Sequence, residues 1–333
     1  MINVALVGYG YWGKNLARNF FLANNCKLHT IVDADAGRLA GLGRAYPNVQ
    51  FSSDINVVFS NKAIHAVAIA TPPSTHYELA KKALLQGKSV LVEKPMTTRV
   101  SQSLELIELA LKNNLILMPD HTFLYTGAVQ KMKVLIDSGA VGNINYLDST
   151  RINLGLFQQD VNVLWDLAAH DISICDYLLN KFPVSVHAIG ISHLGNGIEN
   201  IAYLTLNYSD NLIGHFNCSW SSPVKIRQML VGGDKKMILY NDMEPTEKVK
   251  VYDSGYSMSF NDKSKLLVDY RIGDIFVPKI PMAEALQSMT ADFISCVIEK
   301  KQPVSNFQIG LHVVQVLEAS QKSIKNKGKE IIL

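Results

Sequence analysis

The chain has 333 residues, of which 48% are hydrophobic and 18% are charged, and its formal net charge is +3. This length predicts about two domains, and so small a charge argues against nucleic acid or an anionic membrane surface as a partner. The four cysteines lie far apart without a C-x-x-C pair, and no apolar run reaches membrane-spanning length. We therefore expect a cytoplasmic protein with neither disulfides nor a metal site.

The first third of the chain alternates short apolar strands with amphipathic helices. Strands are predicted at residues 2–7, 28–33, 64–70, 89–92 and 115–118. Helices are predicted between several of these strands, at residues 14–23, 76–86 and 101–112. This alternation indicates the α/β class, with a parallel sheet whose loops after the strands lie at one edge, where ligands bind.

A glycine-rich turn follows the first predicted strand. Gly8, Gly10 and Gly13 form a G-x-G-x-x-G pattern, with Tyr11 and Trp12 between the last two glycines. The glycines permit a tight turn, close approach of a pyrophosphate and close packing of helix on strand, while the helix N-terminus offers N–H groups to phosphates. The pattern predicts a Rossmann dinucleotide-binding domain over residues 1–120, and an unrelated glycine-rich turn is the alternative.

An acidic residue ends the second predicted strand. Asp33 lies 20 residues after Gly13. A carboxylate at this place accepts hydrogen bonds from the adenosine ribose hydroxyls and repels a 2′-phosphate. We therefore predict NAD rather than NADP as the cofactor.

A proline-stiffened loop follows the strand predicted at residues 64–70. It contains Thr71 and Pro72 and leads to His76 at the start of the next helix. Prolines end the strand and leave backbone near the expected position of a dinucleotide. By itself His76 is better explained as an ordinary residue at a helix N-terminus than as a catalyst.

A second candidate segment, Glu93-Lys94-Pro95, ends the strand predicted at residues 89–92. A lysine at the ligand-binding edge can orient a substrate hydroxyl and carry its proton during hydride transfer. A solvated lysine paired with a neighbouring acid explains the same residue equally well, so that both interpretations stay open at this point.

The pattern changes after about residue 120. A helix at 127–137, a strand at 145–151 and a helix at 163–179 are followed by strands in series at 184–191, 200–208, 211–220, 225–231 and 236–240. Strands without intervening helices indicate an α+β domain with a mainly antiparallel open sheet, here over residues 121–333. Residues 253–281 are expected to form a loop. Two helices follow, at 283–300 and 308–325, and the last can alternatively pack back onto the first domain.

The helix at 163–179 carries a carboxylate and an imidazole one turn apart. Asp166 and His170 share a helix face because they are four residues apart. The pair suits a clamp on a substrate hydroxyl or a proton relay, and a surface Asp–His pair without a functional role is the alternative. No further metal-ligand pattern accompanies it.

Together these residues resemble the Gfo/Idh/MocA family of oxidoreductases over nearly the whole chain. The matching segments are Gly8, Gly10 and Gly13 with Asp33, Ala70-Thr71-Pro72-Pro73 with His76, Glu93-Lys94-Pro95, and Asp166 with His170. The resemblance implies an NAD-dependent enzyme in which Lys94 is catalytic and His170 is its partner acid/base or a substrate ligand. It also implies a homodimer or homotetramer formed through the second-domain sheet, and it adds Glu93 to the residues near the cofactor.

The chain departs from many members at Asp120-His121-Thr122-Phe123-Leu124-Tyr125, where those have an N-x-R segment. The run from Arg151 to Gly155, followed by residues 165–171, resembles the branch of nucleotide-sugar 3-dehydrogenases. On that resemblance the substrate-binding candidates are Lys94, Tyr125, Arg151, Asn153, Asp166, His170, Lys225 and Arg227. Lys225 and Arg227 follow Trp220 and suit a diphosphate, although a strand with exposed basic residues is the alternative.

The predicted function is hydride transfer between nicotinamide and a sugar ring carbon. The predicted carbon is C3 of a UDP-N-acetylhexosamine or of its uronic acid, with a small-molecule sugar or nucleotide sugar as the partner. A 3-keto-sugar reductase and an inositol-type dehydrogenase are the alternatives within the family. A non-catalytic NAD-binding sensor or regulatory protein is the alternative from another class.

Overall fold

A computed structural model describes residues 1–155, 157–195, 197–260 and 266–333. The chain forms two compact units. The first contains Met1–Thr126 and Ala283–Gln315, and the second contains Gly127–Met282 and Val316–Leu333. No helix among the described residues is long and apolar enough to cross a membrane.

The first unit is built on a parallel sheet. Its described strands are β1 (Ile2–Val7), β2 (Cys26–Val32), β3 (Gln50–Ser52), β4 (Ala66–Ile69), β5 (Ser89–Glu93) and β6 (Leu117–Asp120). They lie in the order β3-β2-β1-β4-β5-β6. This is the Rossmann order. Successive strands are added on one side of β1 up to β3 and on its other side from β4, and this reversal leaves a crevice at the carboxyl ends of β1 and β4.

Helices cover this sheet. They are α1 (Tyr11–Leu22), α2 (Ala36–Leu39), α3 (Asn56–Phe59), α4 (Pro73–Leu85) and α5 (Val100–Lys112). The central strands β1, β4 and β5 are mainly apolar and almost fully buried, as a parallel sheet between helices requires. Pro73 opens α4 with a preset φ, and Gly87 follows its end with φ +71°. The predicted α/β class of this part of the chain is confirmed.

The second unit contains a mixed, mainly antiparallel sheet. Two helices precede most of its strands, α6 (Gly127–Asp137) and α7 (Ala169–Leu179), the latter after a π-helical turn over Leu164–Ala168. The strands are β7 (Ile144–Leu154), β8 (Ser185–Ile191), β9 (Ile201–Asn207), β10 (Ile213–Ser219), β11 (Ser221–Gly233), β12 (Met237–Asn241), β13 (Val249–Phe260), β14 (Leu266–Phe276) and β15 (Ile331–Ile332). Their order is β14-β13-β12-β11-β7-β10-β9-β8-β15, and the neighbours β7 and β10 run parallel.

Alternation along β9 shows that one face of this sheet is covered. Ala202, Leu204 and Leu206 are buried, whereas Tyr203 between them is 44% exposed. His215 on β10 lies beside Tyr203, with the ring centroids 6.5 Å apart. The open face is therefore mixed and partly aromatic, as expected for an α+β domain with helices on one side.

The prediction of a loop over residues 253–281 is wrong for most of that segment. Strands β13 and β14 pair antiparallel from Val251 with Phe276 to Phe260 with Leu266, and residues 261–265 between them lie outside the described residues. The polar residues that suggested a loop alternate with Val268, Tyr270 and Ile272, which are exposed. Pairing with β13, and not burial, therefore keeps this segment extended.

Two helices, α8 (Ala285–Glu299) and α9 (Phe307–Lys325), complete the list of helices. Helix α8 belongs to the first unit, where Phe293 packs edge-on against Phe20 of α1 and Glu284 pairs with Arg18. Leu311 of α9 lies in the hydrophobic core of the same unit. The first unit thus ends at Thr126, near the expected boundary at residue 120, but residues 283–315 also belong to it, because the apolar face of α8 is buried there. Helix α9 is divided between the two units after Gln315.

Candidate active site

The turn between β1 and α1 requires glycine at two positions. Gly8 has φ +94°, and a Cβ there would lie 2.5 Å from the carbonyl oxygen of Ala70. A Cβ on Gly13 would lie 2.0 Å from the carbonyl oxygen of Gly8. Helix α1 therefore packs directly on the turn, and its N-terminus is held at the carboxyl end of β1.

Gly10 meets a different requirement, because it precedes α1 and has open space around it. The nearest heavy atom to a Cβ there would be Nη1 of Arg38, at 3.7 Å. Bare backbone and the helix N-terminus thus face a cleft, which is the arrangement that cradles a pyrophosphate. The side chains of Tyr11 and Trp12 are 80% and 46% exposed and pack edge-on against each other. Their role in cofactor binding stays a prediction, for which both the backbone N–H groups and these exposed side chains are available.

The cleft has a volume of about 450 Å³ and lies entirely in the first unit. Its lining includes Gly8, Gly10, Asp33, Arg38, Thr71 and Pro72. Asp33 is buried and fixed: Oδ2 accepts from the N–H of Tyr9 at 2.6 Å, and Oδ1 accepts from the N–H of Asp35 at 2.9 Å. Oδ1, with one donor, keeps lone-pair capacity for a ribose hydroxyl. The residues present therefore fit NAD.

Arg38 was not predicted from the sequence. Its Nη1 lies 3.5 Å from Oδ2 of Asp33, and its Nε lies 3.5 Å from Oδ2 of Asp35. Asp35 caps α2 by accepting from the N–H of Gly37, and this cap points the helix and its arginine toward the cleft. The guanidinium reduces the repulsion that Asp33 exerts on a 2′-phosphate. An arginine in the first turn after a capping aspartate was the available signal.

His76 acts on the cleft indirectly. It is completely buried, with Nδ1 2.8 Å from the carbonyl oxygen of Pro95 and Nε2 2.8 Å from that of Thr71. The ring thereby joins the loop after β4 to the loop after β5. Thr71 and Pro72 line the cleft as predicted, whereas the expected direct contact of His76 with the cofactor is replaced by support of Thr71.

Lys94 follows β5 in the first unit and is half-buried. Its backbone N–H donates to Oε2 of Glu93 at 3.1 Å. Glu93 is the register partner of Asp120 on β6, and the two side chains are only 8% and 3% exposed. Lys94 therefore lies beside two buried carboxyl groups.

The electrostatics of this cluster follow from burial. Burial, and next the charge of Asp120, raise the pKa of Glu93 well above its usual range. Burial also raises the pKa of Asp120, against the opposite effect of hydrogen bonds from Thr122. Burial, with the positive charge of Lys94, lowers the pKa of His121 to about 3, so this imidazole is neutral near pH 7. In the sequence Asp120 and His121 stand out only as a departure from a family segment, although their place at the end of an apolar strand marks the ligand edge of the sheet.

Tyr125 does not match its predicted role in substrate binding. Its buried hydroxyl donates to Oδ2 of Asp292 at 2.7 Å and accepts from the N–H of Ser305 at 3.1 Å. Burial and the neighbouring Asp292 raise the pKa of Tyr125. Both contacts lie within the first unit, so Tyr125 ties the turn after β6 to α8.

Asp166 and His170 lie where the π-helical turn passes into α7. Oδ2 of Asp166 accepts from Nε1 of the buried Trp220 at 3.0 Å, which links the turn to the start of β11. The carbonyl oxygen of His170 accepts from the hydroxyl of Ser173 at 2.7 Å. Both side chains are half-buried. A π-helical turn at this place is typical of functional sites, because it changes the direction of side chains within one helix.

Arg151 is engaged inside the second unit, which corrects its predicted contact with substrate. Both Arg151 and Asp171 are buried, and two charge-assisted hydrogen bonds join them. Although burial alone would lower it, the pKa of Arg151 is raised by Asp171. Asn153, two residues further along β7, is half-buried on the same side of the strand and stays a candidate.

The two basic residues of β11 differ from each other. Lys225 is exposed, in a stretch where the pairing of β11 with β7 shifts register between Ser221 and Ile226. Arg227 is half-buried, and its Nη1 lies 3.5 Å from Oδ2 of Asp242, which Lys248 also contacts. Lys225 thus keeps the exposure that a diphosphate ligand requires, while Arg227 already has a carboxylate partner. The described residues contain no cluster of metal-ligating side chains.

Two family models match the chain. Residues 2–121 match the model described as an oxidoreductase family with an NAD-binding Rossmann fold. Residues 129–239 match the model of the GFO/IDH/MocA C-terminal domain. The two matches together cover more than half of the chain.

Similar curated proteins include several oxidoreductases. An uncharacterized oxidoreductase of Synechocystis is 39% identical over 95 residues, or 28% of this chain and 26% of its own length. A 2,7-anhydro-N-acetylneuraminate hydratase of Escherichia coli is 24% identical over 75% of this chain and 70% of its own. A UDP-N-acetylglucosamine 3-dehydrogenase of Acidithiobacillus ferrooxidans is 28% identical over 62% of this chain and 64% of its own. The first match thus spans about a quarter of that relative's length.

Solved structures extend the likeness over the whole chain. The UDP-N-acetylglucosamine 3-dehydrogenase GnnA of Acidithiobacillus ferrooxidans has a TM-score of 0.79 at 21% identity, covering 97% of this chain and 99% of its own. GenD2 from gentamicin A biosynthesis, solved in complex with NAD, has a TM-score of 0.83 at 18% identity, covering 100% and 96%. At these identities the likeness establishes the fold.

Proposed function

The chain belongs to the Gfo/Idh/MocA family of NAD-binding oxidoreductases, and we propose that it transfers a hydride between NAD and a sugar ring carbon. The observation that carries this proposal is the position of Lys94. It follows β5 of the sheet whose neighbouring strand ends build the dinucleotide cleft, and it lies beside the buried carboxyl groups of Glu93 and Asp120. A lysine so placed suits the transfer of a hydroxyl proton.

The first unit supplies the cofactor site of the proposed enzyme. Gly8, Gly10 and the N-terminus of α1 would hold the pyrophosphate, and Asp33 would hold the adenosine ribose. Bound NAD supplies the hydride acceptor or donor at its nicotinamide ring. We propose that NAD binds more tightly than NADP because the Asp33 carboxylate is fixed at the cleft. The neighbouring Arg38 reduces the difference between the two affinities.

Lys94 is the proposed acid/base. In the oxidative direction its side chain takes the proton of the substrate hydroxyl while the carbon bearing that hydroxyl loses hydride, and in the reductive direction it returns the proton. We assign His170 an assisting role, as a substrate ligand or as a second acid/base. Asp166 is held by Trp220 one turn away from His170.

We further propose C3 of a UDP-N-acetylhexosamine, or of its uronic acid, as the reacting carbon. The relative named UDP-N-acetylglucosamine 3-dehydrogenase supports this substrate class, and the exposed Lys225 is available for a diphosphate. A 3-keto-sugar reductase and an inositol-type dehydrogenase are alternatives of the same chemistry. One relative is named a 2,7-anhydro-N-acetylneuraminate hydratase, and the hydration of an anhydro sugar is therefore a further reaction to assay.

A homodimer or homotetramer through the second-domain sheet is also part of the proposal. The open face of that sheet exposes Ile189 on β8 beside its register partner Tyr203 on β9, and exposes Ile213 further along on β10. An apolar, partly aromatic face commonly pairs with its own copy. A monomer in light scattering at micromolar concentration would contradict this assembly.

The function is tested by incubating the purified protein with NAD and one candidate substrate at a time. The candidates are UDP-N-acetylglucosamine, its uronic acid, UDP-glucose and myo-inositol. We expect the absorbance of reduced nicotinamide to rise with the UDP-N-acetyl sugars and to stay near baseline with the Lys94→Met variant. A rise with myo-inositol alone would support the inositol-type alternative. Binding of NAD without turnover of any sugar, in either direction, would support a non-catalytic sensor.

A further inference from the structure

The carboxyl groups of Glu93 and Asp120 occupy an unusual environment. They are register partners at the carboxyl ends of two adjacent parallel strands, and both are more than nine-tenths buried. Two charged carboxylates at such a distance repel each other, and burial penalises each charge further. A pair of this kind keeps one proton near neutral pH and titrates as a unit.

The hydrogen bonds around the pair identify the group that keeps the proton. Oδ1 of Asp120 accepts from the N–H of Thr122 at 3.1 Å and also from its hydroxyl, whereas Glu93 accepts from the N–H of Lys94. Two donors stabilise the charge of Asp120 more than one stabilises that of Glu93.

Oδ2 of Asp120 supplies an independent observation. If both groups were ionised, this buried oxygen would have no donor among the described residues. A buried acceptor without a donor costs about 1–3 kcal/mol. A proton on Glu93, the register partner of Asp120, supplies the missing donor.

We propose that Glu93 is a neutral carboxylic acid near pH 7, that it donates its proton to the Asp120 carboxylate, and that the pair presents one negative charge to Lys94. Glu93 and Asp120 are then positioning residues for the proton carrier. The raised pKa of Glu93 agrees with this assignment. Lys94 is the charged group that acts on both members of the pair, and His121, next to Asp120 in the chain, is neutral near pH 7.

The protonation state can be tested without measuring activity. Infrared spectra of the protein at pH 7, labelled with ¹³C at the side-chain carboxyl carbons of either glutamate or aspartate, would assign any protonated carboxyl band. We expect a protonated band that shifts with the glutamate label and is lost in Glu93→Gln. A band that shifts only with the aspartate label, or no protonated band, would overturn the proposal.

The positioning role rests on the proposed function of Lys94 and is tested by the pH dependence of kcat/KM. Glu93→Gln retains a donor to Asp120, so the acid limb should stay at the wild-type pH. Glu93→Gln combined with Asp120→Asn leaves the pair without a charge, and the acid limb of this double variant should move to lower pH by about one unit. Asp292→Asn, which changes a carboxylate directed at Tyr125, is the matched control. An acid limb that stays at the wild-type pH in the double variant, or that moves as far in Glu93→Gln alone, would overturn the role.

The two parts fail in distinguishable ways. If Lys94→Met keeps its turnover while the glutamate band is present, the proposed function is wrong and the proton on Glu93 stands. If Lys94→Met loses turnover and the glutamate band is absent, the proposed function stands and this inference is wrong. Thermal unfolding of each variant checks that the fold is retained before the profiles are compared.

Discussion

Arg151 on β7 and Asp171 on α7 form a buried ion pair, with Nε 2.9 Å from Oδ2 and Nη2 2.6 Å from Oδ1. The bidentate geometry fastens α7 to the sheet one residue after His170. We expect Arg151→Met to reduce the free energy of unfolding by about 3–5 kcal/mol, because Asp171 is left buried without its partner. Replacing both residues, as Arg151→Met with Asp171→Leu, should recover most of the loss. Urea unfolding measures both values, and a single variant as stable as the wild type would contradict the structural role.

Gly10 and Gly13 should respond differently to substitution. Gly10→Val should abolish NAD binding while changing the free energy of unfolding by less than about 1 kcal/mol, since its side chain would enter the open cleft. Gly13→Ala should destabilise the protein by about 1–3 kcal/mol, because its methyl group would meet the carbonyl of Gly8. Calorimetric titration with NAD and thermal unfolding separate the two effects. Equal loss of stability in both variants would refute the assignment.

Cofactor preference should depend on both Asp33 and Arg38. We expect the wild-type protein to bind NAD more tightly than NADP, and Asp33→Ala to narrow the difference by removing the ribose contact and the repulsion. Arg38→Ala should widen it, since a cation beside the 2′ position is lost. Fluorescence titrations of the wild-type protein and of each variant with NAD and with NADP measure the dissociation constants that are compared. Equal affinities of the wild-type protein for NAD and NADP would rule out the proposed preference.

Lys94→Met should lower turnover by about 10²–10⁴ and leave NAD affinity nearly unchanged, because the phosphates and ribose are held elsewhere in the first unit. The His170→Ala variant should lose less turnover than Lys94→Met if His170 only orients the substrate. If the two residues share a proton relay, the double variant should lose little beyond the worse single variant. Steady-state rates and NAD titrations on the same preparations test this. A Lys94→Met protein retaining more than about a third of wild-type turnover would exclude Lys94 as proton carrier.

His121 should make the fold sensitive to acid. Its pKa is about 3 in the folded protein and near 6.5 when unfolded, so the unfolded state binds the additional proton between these values. The contribution of neutral His121 to stability is therefore fully present above pH 6.5. Below that pH the free energy of unfolding falls by about 1.4 kcal/mol per pH unit toward pH 3. His121→Leu should remove this part of the slope. Urea unfolding between pH 4 and 7 measures it, and parallel curves for both proteins would contradict the assignment.

Local sequence patterns determined the first unit in most respects. The strand before Gly8, the spacing to Gly13 and the acid at Asp33 predict a strand–turn–helix unit and its ligand, because tight turns and close packing admit few residue types. The family was predicted from short segments that occur along this chain in the order typical of that family. The strand β3, only three residues long, and the strand β14 escaped prediction because neither carries a continuous apolar pattern.

Tertiary structure alone decided which charged residues are engaged. Arg151, Tyr125 and His76 have the side chains expected of a binding site, yet each is buried with partners from distant parts of the chain. Conversely, Asp120 gains its importance from Glu93, 27 residues earlier, because parallel pairing of β5 and β6 brings two carboxyl groups together. Sequence spacing reports local periodicity, whereas burial and pairing between distant segments set whether a charge stays free, forms an ion pair or keeps a proton.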